Sequence, residues 1–398
     1  MDIAIIGAGA AGCFCAIETK RLHPDATVTI YESKSRPMAK LAVTGGGRCN
    51  ITNTFATVRR LQDVYPRGER LLKKAFATLS PTDTVKWWEK AGVRLVCADG
   101  QHIFPASQDA MQVVKTLARL IERLGIGLKC GSKVTSIEAE PEGKFRIGFA
   151  EGAAVTADKV VVTTGGAATA MLSGLDIPIV SPVPSLFSFK IEDASLKSLQ
   201  GSVIDNVSVS LSGGKYRSEG TLLVTDWGLS GPAILKLSSY GARFLADNAW
   251  KATLVINWLS LSEEDARNLV SECLAEGKKM MATTVPEGLT HRIWKHLISR
   301  AGLRQDIRWG EMGSKGVNRL VNACIADTYA VTDRGTFKEE FVTAGGVSAA
   351  AVRPESLESR NYPGLFFAGE VLDIDGVTGG FNLQAAWSTG YHVAQHIA

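Results

Sequence analysis

The sequence predicts an α/β protein. A Rossmann-type parallel sheet is assembled from both ends of the chain, and an antiparallel β-barrel-like domain with a small helical subdomain is inserted between them. Three observations predict this. Met1 to Ile6 is a short apolar strand that breaks at once into Gly7, Ala8, Gly9, Ala10, Ala11 and Gly12. Lys159-Val-Val-Val-Thr163 is a second apolar run without alternation, as a strand buried on both faces of a parallel sheet requires. From Phe187 to Trp258 the pattern changes to short alternating segments, which suit antiparallel strands.

The first of these has a specific physical reading. Gly7 permits a tight turn, Gly9 lets the backbone approach a pyrophosphate, and Gly12 lets the following helix pack on the strand. The helix that starts at Ala10 and Ala11 turns free N–H groups and a partial positive charge toward such a ligand. Ala26 to Tyr31 reads as the next parallel strand, and Glu32 closes it 20 residues after Gly12, where a carboxylate can accept from ribose hydroxyls. An adenine dinucleotide follows from this arrangement. Whether it is FAD or NAD(P) must come from the rest of the chain.

Lys40 to Asn53 follows, a loop too rich in glycine for a stable helix or strand, with Gly45, Gly46 and Gly47 beside Arg48, Cys49 and Asn50. Arg48 can supply fixed positive charge to a phosphate or to a reduced flavin. Residues 69–79 and 81–91 read as helices, the second opened by Ser80-Pro81, and Asp109 to Leu124 as an amphipathic helix stopped by Gly125. Strands are expected at 126–130, 133–139, 144–149 and 153–156. The buried strand from Lys159 ends in Thr164, Gly165 and Gly166, where the chain is expected to return to the cofactor. Pro178, Pro182 and Pro184 mark a boundary.

The insert's strands are expected at 187–191, 203–212, 215–225 and 252–258. They are interrupted by Gly228-Leu-Ser-Gly-Pro232, which opens a short helix, and further helices are expected at 260–275, 288–301 and 314–325. The boundaries that follow are a discontinuous first domain of 1–186 plus 344–398, a β-rich insert of 187–258 plus 313–343, and a helical subdomain of 259–312.

The C-terminal segment decides the cofactor. A strand from Gly364 to Ala368 ends in Gly369-Glu370, and a turn with Asp375, Gly379 and Gly380 feeds a helix from Leu383 to Ile397. An acid at that strand end can bind a ribityl hydroxyl, and the helix N-terminus can stabilise the negative charge of a reduced flavin. A simple NAD dehydrogenase needs no such distant closing segment, so FAD is preferred.

At 398 residues, with 45% apolar and 21% charged residues, the chain has the composition of a multidomain globular protein with no membrane span. A strand beginning at residue 2 leaves no room for a secretion signal, so a cytoplasmic location is expected. The formal net charge is only +4 and no aromatic-basic stripe occurs, so nucleic acid is not expected as a partner. Seven scattered cysteines without a C-x-x-C pair suit a reducing compartment and predict no metal site.

Ser230 lacks the G-x-S-x-G spacing of a nucleophile and reads as a helix cap. His102 is read first as a structural turn histidine and second as an acid or base near the flavin. Cys49 beside Arg48 is read first as a packing residue and second as a redox thiol.

The chain resembles the HI0933-like flavoproteins, a family that includes enzymes described as aminoacetone oxidases and bile-acid-type enone reductases. The residues that carry the resemblance are Gly7 to Gly12, Thr44-Gly-Gly-Gly-Arg-Cys-Asn50 with Thr52-Asn53, Gly228 to Pro232, Thr343-Ala-Gly-Gly-Val347, and Phe367-Ala-Gly-Glu370 through Asn382-Leu-Gln384. It implies a two-dinucleotide-binding-domain type of FAD fold, closed by both chain ends. One departure stands out: a longer Ser- and Gly-rich stretch usual in the family is reduced here to Ala167–Pro178, as in a shortened branch. Arg48, Asn50 and Asn382 are expected near the flavin ring, and the candidate set also takes in Ser33, Lys40, Cys49, Val134, Asp375 and Leu383.

The function expected is an FAD-dependent oxidoreductase of a small molecule, with the substrate on the flavin face between FAD domain and insert. NAD(P)H is the expected transient electron donor, or oxygen the acceptor. A flavin-binding regulatory module and a flavin-dependent tRNA-modifying enzyme are the alternatives.

Overall fold

The strand Asp2–Ile6 is central in a five-stranded parallel sheet. The order across it is Leu365–Phe367, Lys159–Val162, Asp2–Ile6, Thr27–Tyr31 and Gly127–Lys129. Ile3, Ala4, Ile5 and Ile6 lie opposite Lys159 to Val162 on one side and Val28 to Tyr31 on the other. Val160, Val161 and Val162 are fully buried, which is why this strand carries no polar alternation. The computed structural model describes residues 1–166, 169–335 and 342–397.

The helix Ala10–Leu22 is buried over Ala11 to Thr19 and packs against the C-terminal helix Phe381–His396. Small residues make the approach possible: a Cβ on Gly390 would stand 2.7 Å from the carbonyl oxygen of Ala11. Phe14, Trp87, Trp88 and Trp387 fill the space beside it, with ring centroids 4.3–5.4 Å apart. Two small antiparallel sheets flank this layer: Leu95–Ala98 with His102–Pro105 and Thr52–Asn53, and Val134–Ala139 with Phe145–Phe149 and Val155–Ala157. The helix starts follow local chemistry. Ser80 and Asp83 form a capping box, Asp109 accepts from the N–H of Met111, and Ser262 accepts from the N–H of Asp265.

Ile179–Ser185, Asp327–Arg334 and Val342–Val347 are strands that the sequence does not announce, and two glycine-rich stretches differ from expectation. The Gly-rich loop is not wholly irregular, because Ala39–Val43 is helical and Thr52–Asn53 is a strand. Gly228–Ser230 is itself a strand, and the helix Pro232–Tyr240 starts after Gly231. Three residues bracketed by glycines present no periodicity to read.

The chain divides into two compact units, Met1–Val183 with Val342–Ala398, and Pro184–Phe341. The second is a closed antiparallel barrel of six strands, in the order Phe189–Ile191, Gly228–Ser230, Arg217–Val224, Val203–Leu211, Ala252–Asn257 and Asp327–Arg334. Helices Glu263–Ala275, His291–Arg300 and Ser314–Ile325 share one apolar core with it. Phe189, Leu222 and Ile256 from the barrel belong to the same cluster as Trp294, Leu297 and Leu320. The expected helical subdomain is thus continuous with the barrel, and part of the expected 313–343 segment, residues 336–341, lies outside the described residues.

Candidate functional site

The three glycines of the first turn do different work. Gly7 has φ +109°, and a Cβ there would stand 2.8 Å from the Thr163 carbonyl oxygen; one on Gly12 would stand 2.0 Å from the Gly7 oxygen. Both positions are closed by the protein itself. Thr163 Oγ1 donates to the oxygens of Ile6 and Gly7, at 3.0 and 2.9 Å, and fixes the bend. Gly9 is the opposite case: no atom lies within 4 Å of where its Cβ would be. It caps the helix Ala10–Leu22 with no side chain on the N-terminal N–H groups and no acid in the first turn. The turn therefore offers backbone donors beside open space, as a diphosphate needs.

Glu32 closes this cradle. Its Oε2 accepts from the N–H of Ala8 at 2.8 Å, and its Oε1 accepts from the N–H of Lys34 at 2.8 Å and from Ser33 Oγ at 3.2 Å. A carboxylate so held keeps lone pairs for ribose hydroxyls. The segment before Val134 is tied to the same corner, with the N–H groups of Gly131 and Ser132 donating to the oxygens of Lys34 and Glu32. Val134 itself is buried opposite Phe149, whose ring lies 5.0 Å from that of Tyr31.

A second cluster forms around Glu370. Its Oε1 accepts from the N–H of Thr343 at 2.8 Å and its Oε2 meets Lys40 Nζ at 3.0 Å. Gly165 and Gly166 adjoin it, since a Cβ on Gly165 would stand 3.7 Å from Glu370 Oε2 and one on Gly166 2.1 Å from Thr343 Cβ. Thr164 precedes them, half-buried. Gly369 abuts the first helix, where a Cβ would come within 2.8 Å of Ala11 Cβ.

The third cluster joins the Gly-rich loop to the start of the C-terminal helix. Gly46 and Gly47, at φ +65° and +83°, face open space. Arg48 is exposed, with its guanidinium 4.9 Å from the centre of the Phe104 ring. Cys49 is fully buried, and burial pushes its thiol up to about 12, which removes the thiolate that redox chemistry would need. The Asn50 amide, oriented to satisfy its neighbours, donates to the oxygens of Thr52 and Ile103 and accepts from the N–H of Gly380 at 3.1 Å. Asn53 donates to the oxygen of Gly379 at 3.0 Å. Gly380 admits no side chain, because a Cβ would stand 2.7 Å from the Thr52 carbonyl.

Two candidates from the sequence turn inward. Asn382 both donates to and accepts from the Gly376 backbone, each at 2.8 Å, and so fixes the turn ahead of the helix. Asp375 is fully buried in a two-pronged ion pair with Arg67. Leu383 lies half-buried in the first turn of the helix.

Arg67 was absent from the sequence reading because 308 residues separate it from its partner. Asp99 was absent too, although an acid three residues before His102 in a Gly-containing turn is a readable signal. His102 Nδ1 lies 2.8 Å from Asp99 Oδ2. Thr163, which holds the first cluster, carries no motif of its own, and Thr343 stands in the Thr343–Val347 motif without its contact to Glu370 being readable there.

The chemistry of these residues fits FAD: backbone donors beside open space at Gly9 suit a diphosphate, the carboxylate of Glu32 suits a ribose, and a helix N-terminus is reached through Gly379 and Gly380. Among the described residues no group of acidic, histidine or cysteine side chains could hold a metal, and no helix is long and apolar enough to cross a membrane. All seven cysteines are free thiols.

Known proteins resemble this chain over nearly its whole length. The family model for the HI0933-like protein Rossmann domain matches residues 1–396. A 3-dehydro-bile acid delta(4,6)-reductase of Clostridium scindens is 30% identical over 405 residues, covering 98% of this chain and 97% of that protein. A ribosomal RNA dihydrouridine synthase of Haemophilus influenzae is 27% identical, covering 99% of this chain and 98% of the relative. That of Escherichia coli is also 27% identical, over 100% and 98% of the two chains.

Proposed function

Because the chain belongs to the HI0933-like family of Rossmann-domain proteins, we propose that it is an FAD-dependent reductase of a carbon–carbon double bond conjugated to a carbonyl group. The names of the relatives support this reading. A delta(4,6)-reductase of a 3-dehydro substrate and a dihydrouridine synthase both saturate a double bond in line with a carbonyl. The observation that carries the cofactor half is Gly9, the one glycine of the fingerprint whose missing side chain leaves space for a ligand instead of for the fold.

Bound FAD supplies the hydride, so the protein needs no nucleophile of its own. The N–H groups after Gly9 would hold the diphosphate, and Glu32 would accept from the ribose. The helix Phe381–His396 would present its first N–H groups and the positive end of its dipole to the flavin ring, where they would stabilise negative charge. In that helix Gln384 is the first residue to donate back along the turn, to the oxygen of Gly380 at 3.0 Å. NAD(P)H is the electron donor, and with one fingerprint in the chain it visits the flavin site and has no second Rossmann domain.

The test is anaerobic. Protein carrying FAD is reduced with NADH or NADPH and mixed with a 4-en-3-one steroid, a cyclohexenone or a uridine-containing RNA, and return of the oxidised flavin absorbance is followed. Reoxidation by one of these is expected, and the one that works assigns the substrate class. A protein that takes up no FAD, or a reduced flavin that oxygen alone reoxidises, refutes the proposal.

A further inference from the structure

Reducing a conjugated double bond requires a proton as well as a hydride, and the carboxylates of the cradle are poorly suited to give one. Glu32 and Glu370 accept from backbone N–H groups, and Asp375 is paired with Arg67, so the fold already engages their oxygens. His102 has a different setting. Resting on the reductase reading above, we propose that His102, oriented by Asp99, delivers the proton to the substrate's α-carbon.

Both oxygens of Asp99 face His102 Nδ1, at 2.9 and 2.8 Å. Asp99 Oδ1 also accepts from the N–H groups of Gln101 and His102, at 3.3 and 3.1 Å. These hydrogen bonds from His102 and Gln101 hold the Asp99 carboxyl below its usual range, so a carboxylate faces Nδ1. The ring is thereby fixed with Nε2 pointing away from Asp99.

What Nε2 faces is the entrance to the C-terminal helix. A Cβ on Gly379 would stand 3.3 Å from it. Asn53, directly across the strand pair from His102, donates to the oxygen of that same Gly379 at 3.0 Å. His102 and Asn53 thus stand on neighbouring strands against one peptide, at the helix end assigned above to the flavin ring. The His102 side chain keeps 34% exposure, which gives water a route to reprotonate it.

The step balances. Hydride bonds to the β-carbon and the π pair moves toward the α-carbon, which takes the proton from Nε2. The N–H electron pair stays on nitrogen, leaving neutral imidazole, and two electrons have passed from the reduced flavin to the substrate. Water then restores the proton.

Three variants test this in the intact protein. His102→Gln is expected to keep its FAD absorbance and its reduction by NAD(P)H, and to be reoxidised by oxygen as fast as the parent. Its reoxidation by the substrate is expected to slow by about 10²-fold or more. His102→Ala should regain substrate reoxidation when imidazole is added. In Asp99→Asn the ring nitrogen NMR signals of His102 are expected to shift, a readout independent of turnover. Substrate reoxidation within threefold of the parent in His102→Gln, loss of FAD from that variant, or ring signals indifferent to Asp99 each overturn the inference. If the parent itself reduces no conjugated substrate, the reductase reading fails and this inference falls with it; if the parent reduces one and the variants do so equally, the inference alone fails.

Discussion

Gly9 and Gly12 are three residues apart in one turn, and the structure predicts opposite consequences for filling them. Gly9 has φ −86° and ψ −166°, extended backbone open to any residue, and its Cβ would meet nothing within 4 Å. Gly9→Val in the cofactor-free protein should therefore leave stability within about 0.5 kcal/mol of the parent. Gly12→Ala places a methyl group 2.0 Å from the Gly7 oxygen and 2.5 Å from Thr163 Oγ1, far inside contact distance. Such overpacking costs about 1–3 kcal/mol or more. Toward FAD the order reverses in kind. Valine at position 9 occupies the space next to the uncapped N–H groups, and losing two hydrogen bonds to a charged phosphate, at about 1.5–3 kcal/mol each, weakens binding by about 10²–10⁴-fold.

Melting curves with and without added FAD separate these effects. FAD at a hundred times its dissociation constant stabilises the parent by about 2.7 kcal/mol, a readily visible shift. Gly9→Val should melt with the FAD-free parent and not respond to FAD, whereas Gly12→Ala should melt lower at the outset. A Gly9→Val protein that responds to FAD over the parent's concentration range would refute the placement of the diphosphate.

Two further expectations concern the supports of the site. Arg67→Met strips the buried Asp375 of its guanidinium, and chemical denaturation should show a loss of about 3–5 kcal/mol; a loss under 1 kcal/mol would mean the pair does not hold the turn ahead of the C-terminal helix. Burial, with His396 adding to it, lowers His392 from 6.5 to about 4, so the unfolded chain binds that proton more readily. Stability is then full above pH 6.5 and falls by up to about 2–3 kcal/mol as pH drops toward 4. The slope of stability against pH in that window should flatten in His392→Gln, and an unchanged slope would assign it to other groups.

How much of this was legible in the sequence depended on how local the cause was. Gly7, Gly9, Gly12 and Glu32 could be read because a turn and the strand after it carry their reasons in adjacent residues. The helix starts at Pro81 and Ala110 could be read from Ser80 and Asp109, whose oxygens accept from N–H groups two or three residues on, whereas the start expected at 260 comes at Glu263, after the cap Ser262. Four of the barrel's strands were visible, but Gly228–Ser230 and Asp327–Arg334, which close it, were not. Gly228–Ser230 links Phe189–Ile191 to Arg217–Val224, and a three-residue strand has no period. Asn382 and Asp375 were legible as residues near the cofactor turn but not in their roles, because Gly376 and Arg67 claim them only once the chain has folded back. His102 needed Asp99 and Gly379 together, and 277 residues separate the histidine from that glycine.

The parallel sheet has a temporal consequence. Its edge strand Leu365–Phe367 pairs with Lys159–Val162, and the turn that follows it carries Glu370. On a ribosome adding about 5–20 residues per second, some 10–40 s pass between the emergence of these two strands. Throughout that interval the valine strand has one unpaired edge, and the turn with Glu370 and the helix Phe381–His396 have not been made. With the flavin placed as proposed, its capture is a late event in the life of the nascent chain, and a shortage of FAD would be felt by finished molecules, not by growing ones.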